Sequence, residues 1–358
     1  MYKKSIGVVL VMILFCWSCR NNRLYDVAKL NPEMKVDIEV LLQDTTFNVR
    51  ALEINRNKNG ASFALTNGKI GTTRLNDLKK VHLSLELMHD TIIPNFRSMS
   101  ITNRADFALS VATPVLLYKI DNDSIKLVYT ETHENAFYDS MDFWNDQEGI
   151  AIGDPTEDCM SIIITRDAGN TWTKLSCDNL PKAKDGEAAF AASDTNIAIV
   201  GHHTWVATGG AASRILYSPD KGRSWWVFNT PIVQGKPTTG IYSMDFYDTN
   251  NGFAIGGDYT KPADSSANKI RTSDGGKTWI LVAENKSPGY RSCVQYVPNG
   301  NAKKLVAVGS NGIDYSADAG NSWQHLSDEG FYTIRFLNDS VAFAGGNGRV
   351  AKLEFSGE

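Results

Sequence analysis

The chain is predicted to be all-β: a seven-bladed β-propeller whose last blade is closed by an N-terminal strand. Three observations predict this. Four eight-residue segments, Thr165–Trp172, Ser218–Trp225, Thr272–Trp279 and Ser316–Trp323, share the pattern S/T-x-D-x-G-x-T/S-W, the Asp box. Their tryptophans lie 53, 54 and 44 residues apart, a period that belongs to a repeated sheet unit. Between them run short apolar segments bounded by turn residues, with no long helical periodicity.

Each Asp box reads as a hairpin tip. Asp167, Asp220, Asp274 and Asp318, with the Ser or Thr two residues before, bond to the turn's own amides, and glycine takes the positive φ. Trp172, Trp225, Trp279 and Trp323 then anchor the exit strand in apolar packing, so the boxes are structural. Trp226 alternates with Trp225 across the strand, so one ring of the two is expected to be buried.

The repeat extends beyond the boxes. Met141-Asp-Phe-Trp before Gly149-Ile-Ala-Ile-Gly153 matches Met244-Asp-Phe-Tyr before Gly252-Phe-Ala-Ile-Gly256. Working outward gives units at 45–90, 94–134, 136–178, 186–230, 238–284, 289–327 and 329–355. In the second, Asp121-Asn-Asp-Ser124 replaces the box and Ile125, Leu127 and Tyr129 alternate after it. The last unit is one strand short. Val36, Ile38 and Val40 alternate with Asp37 and Glu39, a half-buried strand that can complete it and remove an exposed edge.

With 358 residues the chain is long enough for two domains, but a propeller of this length is one unit, here 36–358. Its 36 basic and 40 acidic side chains give a net charge of −4, which argues against general nucleic-acid binding. Residues 1–18 read as a lipoprotein-type signal peptide. Lys3 and Lys4 precede an apolar run from Ile6 to Phe15, and Ser18 stands before Cys19, the expected lipidation site. Trp17 is unusual at a position that favours small residues, and simple secretion is the alternative. Residues 19–35 read as a tether, so the expected location is the cell envelope, periplasmic or outer-membrane, with the lipid as the only membrane contact. A monomer is expected.

Beyond the boxes, Gly186-Glu-Ala-Ala-Phe-Ala-Ala-Ser193, Gln234-Gly-Lys-Pro-Thr-Thr-Gly240, Gly289-Tyr-Arg-Ser-Cys293, Gly312-Ile-Asp-Tyr-Ser316 and Glu329-Gly-Phe331 resemble bacterial propellers related to photosystem II stability/assembly factors. The resemblance covers roughly residues 92–358. It implies a seven-bladed propeller and a role in binding or assembly. Many bacterial members carry the label "oxidoreductase", but this chain has no G-x-G-x-x-G between a strand and a helix, and no cofactor is expected.

In a propeller the starts of inner strands and the loops joining second to third strands share one face, opposite the Asp boxes. Inner-strand starts then offer Arg50, Arg97, Asp139, Glu187, Arg291 and Tyr332, and the loops offer Asp154, His202, His203, Asp258, Tyr259 and Asn311. Lys182, Lys184, Gln234 and Lys236 lie above them. Three arginines at one channel mouth repel unless carboxylates or an anionic ligand offset them. Asp139 and Glu187 can offset them internally around a water-filled channel. If they do so only in part, the mouth suits a carboxylate or phosphate.

Adjacent His202 and His203 cannot easily ligate one ion, and the 258–267 loop lacks EF-hand spacing, so no metal is expected. A register placing Ile164 opposite Trp172 puts Cys159 opposite Cys177, close enough for a disulfide in an oxidising compartment. Cys293 reads as a buried inner-strand residue.

Three functions remain open. The leading one is a non-catalytic binding or assembly module whose channel-mouth face takes a protein partner or a small anionic or glycan ligand. The second is a sialidase-like glycan hydrolase using Arg50, Arg97, Arg291, Glu187 and Tyr332, although the Arg-Ile-Pro entry motif is absent. The third is the redox chemistry of the family label, for which no site is visible.

Overall fold

The computed structural model describes residues 33–75, 77, 81–121 and 124–357. The signal segment, Cys19 and the tether up to residue 32 lie outside them. The fold is an all-β propeller of antiparallel sheets.

The expectation of seven separate blades is corrected: the described strands form six sheets, four of four strands and two of six. The reason is the strand Met34–Ile54. Its first half pairs with the end of Val341–Gly357, Val36 opposite Phe355 and Ile38 opposite Leu353. Its second half pairs with Gly60–Leu65, Leu52 opposite Phe63. The units expected first and last are therefore one continuous sheet. A single bridge, Gly209 to Gly240, likewise joins the short strands Glu187–Ala188 and Gly209–Gly210 to the sheet that starts with Thr239–Phe246.

The core lies between neighbouring sheets. Phe107 and Leu117 of one sheet pack on Met141, Ile163 and Trp172 of the next, and Phe253 and Ile255 meet Val294, Leu305 and Ala307 in the same way. Phe107 is fully buried, which for one such side chain is worth about 1.5–3 kcal/mol.

The eight-residue turns lock this packing from one face. In the first, Asp167 accepts from the Thr171 amide and hydroxyl at 2.9 and 2.8 Å, while Thr165 Oγ1 accepts from the Gly169 amide at 2.9 Å. The same bonds recur around Asp220, Asp274 and Asp318. Two consecutive residues, Ala168 and Gly169, take positive φ. Gly169 also needs to be glycine for space, since a Cβ there would sit 2.2 Å from the Phe107 ring of the preceding sheet. Burial opposes ionisation of Asp167, but the donors from Thr171 and Thr165 outweigh it and hold the carboxyl below its ordinary value. Of the adjacent pair, Trp226 is half exposed and Trp225 is partly buried, its Nε1 donating to Gly222 O at 3.2 Å.

A disulfide joins Cys159 and Cys177, with Cα atoms 5.5 Å apart. The expected register was off by one: Ile164 pairs with Thr173, not Trp172. The strand ends at Lys174 and a 3-10 turn, Cys177–Asn179, follows it, so Cys177 meets Cys159 from outside the ladder.

Candidate functional site: a walled bowl over a plugged axis

Four inner strands carry one extra residue at the same place. The register slips between Val49 and Ala51, between Phe96 and Ser98, between Tyr138 and Ser140, and between Ile241 and Ser243. The extra residues are Arg50, Arg97, Asp139 and Tyr242. A β-bulge bends its strand and re-aims the side chain of the unpaired residue. The sequence places Arg50, Arg97 and Asp139 at inner-strand starts but not Tyr242, although Arg50-Ala, Arg97-Ser, Asp139-Ser, Tyr242-Ser, Arg291-Ser and Tyr332-Thr share one short pattern that includes it.

The axis is not an open channel. The unit expected to begin its inner strand at Glu187 begins it at Ile197 instead. The intervening residues, Ala189-Phe-Ala-Ala-Ser-Asp-Thr195, bond to inner strands contributed by several sheets. Arg50 Nη1 donates to Ala192 O at 2.6 Å and Arg97 Nη1 to Ala191 O at 3.1 Å. Asp194 accepts from the Met99 amide at 2.8 Å and the Met141 amide at 3.2 Å. Thr333 Oγ1 donates to Ser193 O and the Met244 amide to Thr195 O, both at 2.9 Å. Small side chains at 189, 191, 192 and 193 let the backbone lie where inner strands crowd, and Asp194 tolerates the positive φ the path requires. This segment is a floor.

Above it lies a bowl of about 610 Å³. Residues 188–192 line it together with Arg50, Arg97, Asp154, Tyr259, Tyr290 and Tyr332. Its wall is aromatic. Phe190 stacks on Tyr242 with ring centres 3.9 Å apart, Tyr290 meets Tyr242 edge-on at 4.8 Å, and the half-exposed Tyr259 stands at the edge. Arg50 lies 3.8 Å over the Tyr332 ring. Its Nε is buried with no hydrogen-bond partner among the described residues, a donor left over after the floor has been served. Burial, and then the Arg50 charge, lower Arg97 to about 10, so it remains a cation at neutral pH.

Asp154 is the carboxylate that reaches the bowl. It accepts from the Ala189 amide at 2.7 Å, but burial outweighs this and raises it to about 6. Asp139 is wholly buried, with the Ala191 backbone amide of the floor acting on its carboxyl. Burial first, then the Asp154 charge, push it well above an ordinary carboxyl, against the Ala191 amide and the Arg97 charge.

The structure brings Arg50, Arg97, Asp154, Tyr259 and Tyr332 together and sends other expected residues elsewhere. Glu187 is buried in a two-pronged pair with Arg214, at 2.9 and 2.5 Å, and also accepts from Thr208 Oγ1 at 2.6 Å. Arg291 is buried against Asp314 at 2.6 Å. His202 sits in the turn between first and second strands, where its carbonyl accepts from Lys221 of an eight-residue turn. The second-to-third connection of that sheet is near 208–213, so His202 and His203 belong to the opposite face. Asp258 caps its own turn through Thr260 at 2.6 Å, and Lys236 is an exposed neighbour of Pro237, which lines the bowl. Lys182 pairs with Asp158 at 3.0 Å, and Gln234 accepts from the Ser213 amide at 2.9 Å. Arg291 and Glu187 are thus engaged in separate ion pairs, and the residue set expected for a glycan hydrolase is not assembled.

Beyond the floor, Asp194 and Thr195 line a second cavity of about 190 Å³ with Glu53, Asp142, Asp245 and Arg335. Arg335 binds Glu53 at 2.6 Å. Burial raises Asp142 to about 7 and Asp245 to about 6.

No protein-family model matches the chain, and no curated protein does. Solved structures do. That of YCF48 bound to D1 peptide is 14% identical, covering 90% of this chain and 96% of that one, with a TM-score of 0.62. The WD40 repeats of RRP9 are 12% identical over 90% of this chain and 100% of that one, at 0.63. YCF48 from Cyanidioschyzon merolae is 11% identical over 89% and 98%, at 0.61. At such identities the likeness is one of fold: a β-propeller.

Proposed function

We propose that the protein is a non-catalytic binding module that holds an acidic segment of a protein partner in the bowl. The observation that carries this reading is the pair of bulge-borne arginines, Arg50 and Arg97, facing one aromatic-walled cavity over a closed floor. Guanidinium groups of this kind suit carboxylates, and the aromatic wall supplies apolar contact at small entropic cost. Supporting it, one propeller of similar fold is seen with a peptide bound. The glycan-hydrolase alternative is less favoured, since Glu187, the carboxylate expected to serve it, is engaged by Arg214, Thr208 and the Lys184 amide.

Binding of an acidic ligand should depend on pH through Asp154. Its folded value of about 6 lies above the ordinary 3.8, so it holds a proton below that value and carries a negative charge above it. An acetylated octapeptide of alternating Glu and Ser is therefore expected to bind several-fold more weakly at pH 7.5 than at pH 5.5. In Asp154→Asn that weakening disappears. Equal pH dependence in the two proteins, read by fluorescence anisotropy, would remove Asp154 from the bowl's electrostatics.

We also propose that residues 1–18 are a cleaved signal and that Cys19 carries the lipid that tethers residues 36–358 at the cell envelope. The Lys3-Lys4 start, the apolar run and Ser18-Cys19 support this, and a Cys159–Cys177 disulfide is compatible with an oxidising compartment. Cys19→Ser is expected to move the protein from the membrane to the soluble fraction; an unmodified Cys19 in the intact mass would refute the tether.

A further inference from the structure

The connection from the outer strand Val81–Glu86 to the inner strand Phe96–Ile101 crosses the bowl face and carries an apolar hairpin tip. The chain turns back at Asp90 and Thr91, where the His89 amide donates to Ile92 O at 2.9 Å and the Ile92 amide to His89 O at 2.8 Å. Leu87, part of the core, and buried Pro94 root the hairpin. Its tip presents Met88, Ile92 and Ile93, which are 64%, 41% and 57% exposed. Single exposed apolar side chains are ordinary, but three on one fixed tip form a patch. The hairpin stands beside both bowl arginines. Arg97 Nε donates to Asn95 Oδ1 at 3.3 Å, two residues beyond Ile93. On the other side, the Leu87 amide donates to Gly68 O at 2.9 Å, and the Thr66 amide of the same turn donates at 3.3 Å to Asn48 O, two residues before Arg50. Asn48 and Asn67 each keep a buried side-chain oxygen with no hydrogen-bond partner among the described residues. Acceptors of this kind call for N–H donors, which the backbone of an extended segment supplies.

We propose that the segment held in the bowl carries a large aliphatic side chain near its acidic group, and that this side chain packs on Met88, Ile92 and Ile93. This rests on the binding role proposed above and adds the sequence pattern of the partner. Strands of one sheet lie about 4.8 Å apart and an extended chain advances about 3.3 Å per residue. A loop returning from the outer strand of one sheet to the inner strand of the next therefore meets a side chain about two to four positions from the acid. Asp90, exposed at the turn itself, opposes insertion of the same tip into an anionic bilayer. The occupant is thus a peptide segment, to which the patch adds affinity and the arginines add charge selection.

Four acetylated, amidated octapeptides test it at pH 7.5 against the full chain: acidic (Glu and Ser), acidic with a leucine pair following the Glu residues, acidic with the pair preceding them, and leucine with Ser alone. The proposal expects one of the two mixed orders to bind about tenfold or more tighter than the acidic peptide. Met88→Ser with Ile93→Ser, both exposed and outside the bowl lining, should erase that gain while leaving acidic-peptide binding in place. Mixed peptides no tighter than the acidic one would overturn the aliphatic pattern and leave the bowl intact. So would a gain unchanged in the double variant. Vesicles of phosphatidylglycerol and phosphatidylethanolamine that bind the wild type but not the double variant, with no leucine gain, would give the tip to the membrane instead. Failure of every peptide to bind, or equal binding of the one without Glu, would overturn both readings together.

Discussion

Replacing Arg50 and Arg97 together by alanine lowers affinity for the acidic octapeptide by about 100-fold or more. Each guanidinium offers charge-assisted hydrogen bonds, and such bonds contribute about 1.5–3 kcal/mol apiece, so two lost contacts span that range. Arg50 has the larger share, because its buried Nε has no partner among the described residues. Both residues also donate to the floor, Arg50 to Ala192 O and Arg97 to Ala191 O. Loss of binding must therefore be separated from loss of the floor. The lysine pair, Arg50→Lys with Arg97→Lys, keeps charge without the planar fork and is expected to recover only part of the affinity. Alanine and lysine pairs with equal thermal stability but graded affinity, measured by titration calorimetry, fit the account. Full affinity in the alanine pair would end it.

The largest loss of stability is expected from Asp194→Ala. Its carboxyl takes the amides of Met99 and Met141, belonging to two different sheets, and it is wholly buried. Truncation leaves two buried donors unserved, each costing about 1–3 kcal/mol, so the variant should lose roughly 2–6 kcal/mol. Burial, the largest influence on Asp194, holds it well above an ordinary carboxyl, with Arg335 acting the other way. Asp194→Asn keeps one acceptor and should lose less. Urea denaturation gives the comparison: a midpoint for Asp194→Ala equal to wild type would mean that the axial segment is not the tie between sheets described here.

Much of the fold is legible in the sequence where local chemistry dictates it. The eight-residue turns announce themselves, since Asp, Ser/Thr, Gly and Trp each answer one demand of the same hairpin. The N-terminal strand shows in the alternation of Val36, Ile38 and Val40, and these residues lie opposite Phe355, Leu353 and Ala351. What escapes reading depends on long-range pairing. Nothing local in Met34–Ile54 says that one strand serves two ladders, so counting repeats overcounts sheets. Ala189–Thr195 resembles an inner strand because it is short and apolar, yet its hydrogen bonds run to other sheets. Glu187 and Arg291 have the residue types of a binding site, but Arg214 and Asp314, distant in sequence, consume them. His202 was misplaced by one strand because the two-residue turn after Val200 is too short to stand out. Arg50 and Arg97 are readable as strand starts, whereas the bulge that aims them is a property of the pairing.

The central claim is that the face bearing Arg50, Arg97 and the aromatic wall is where the protein meets its partner. Tyr259, half exposed in the bowl lining, and His202, exposed on the opposite face, are matched positions for a photoreactive phenylalanine derivative. Illumination with the labelled acidic octapeptide should yield a discrete adduct from position 259, competed by unlabelled peptide, and none from 202. An adduct from 202 with none from 259 would contradict the account.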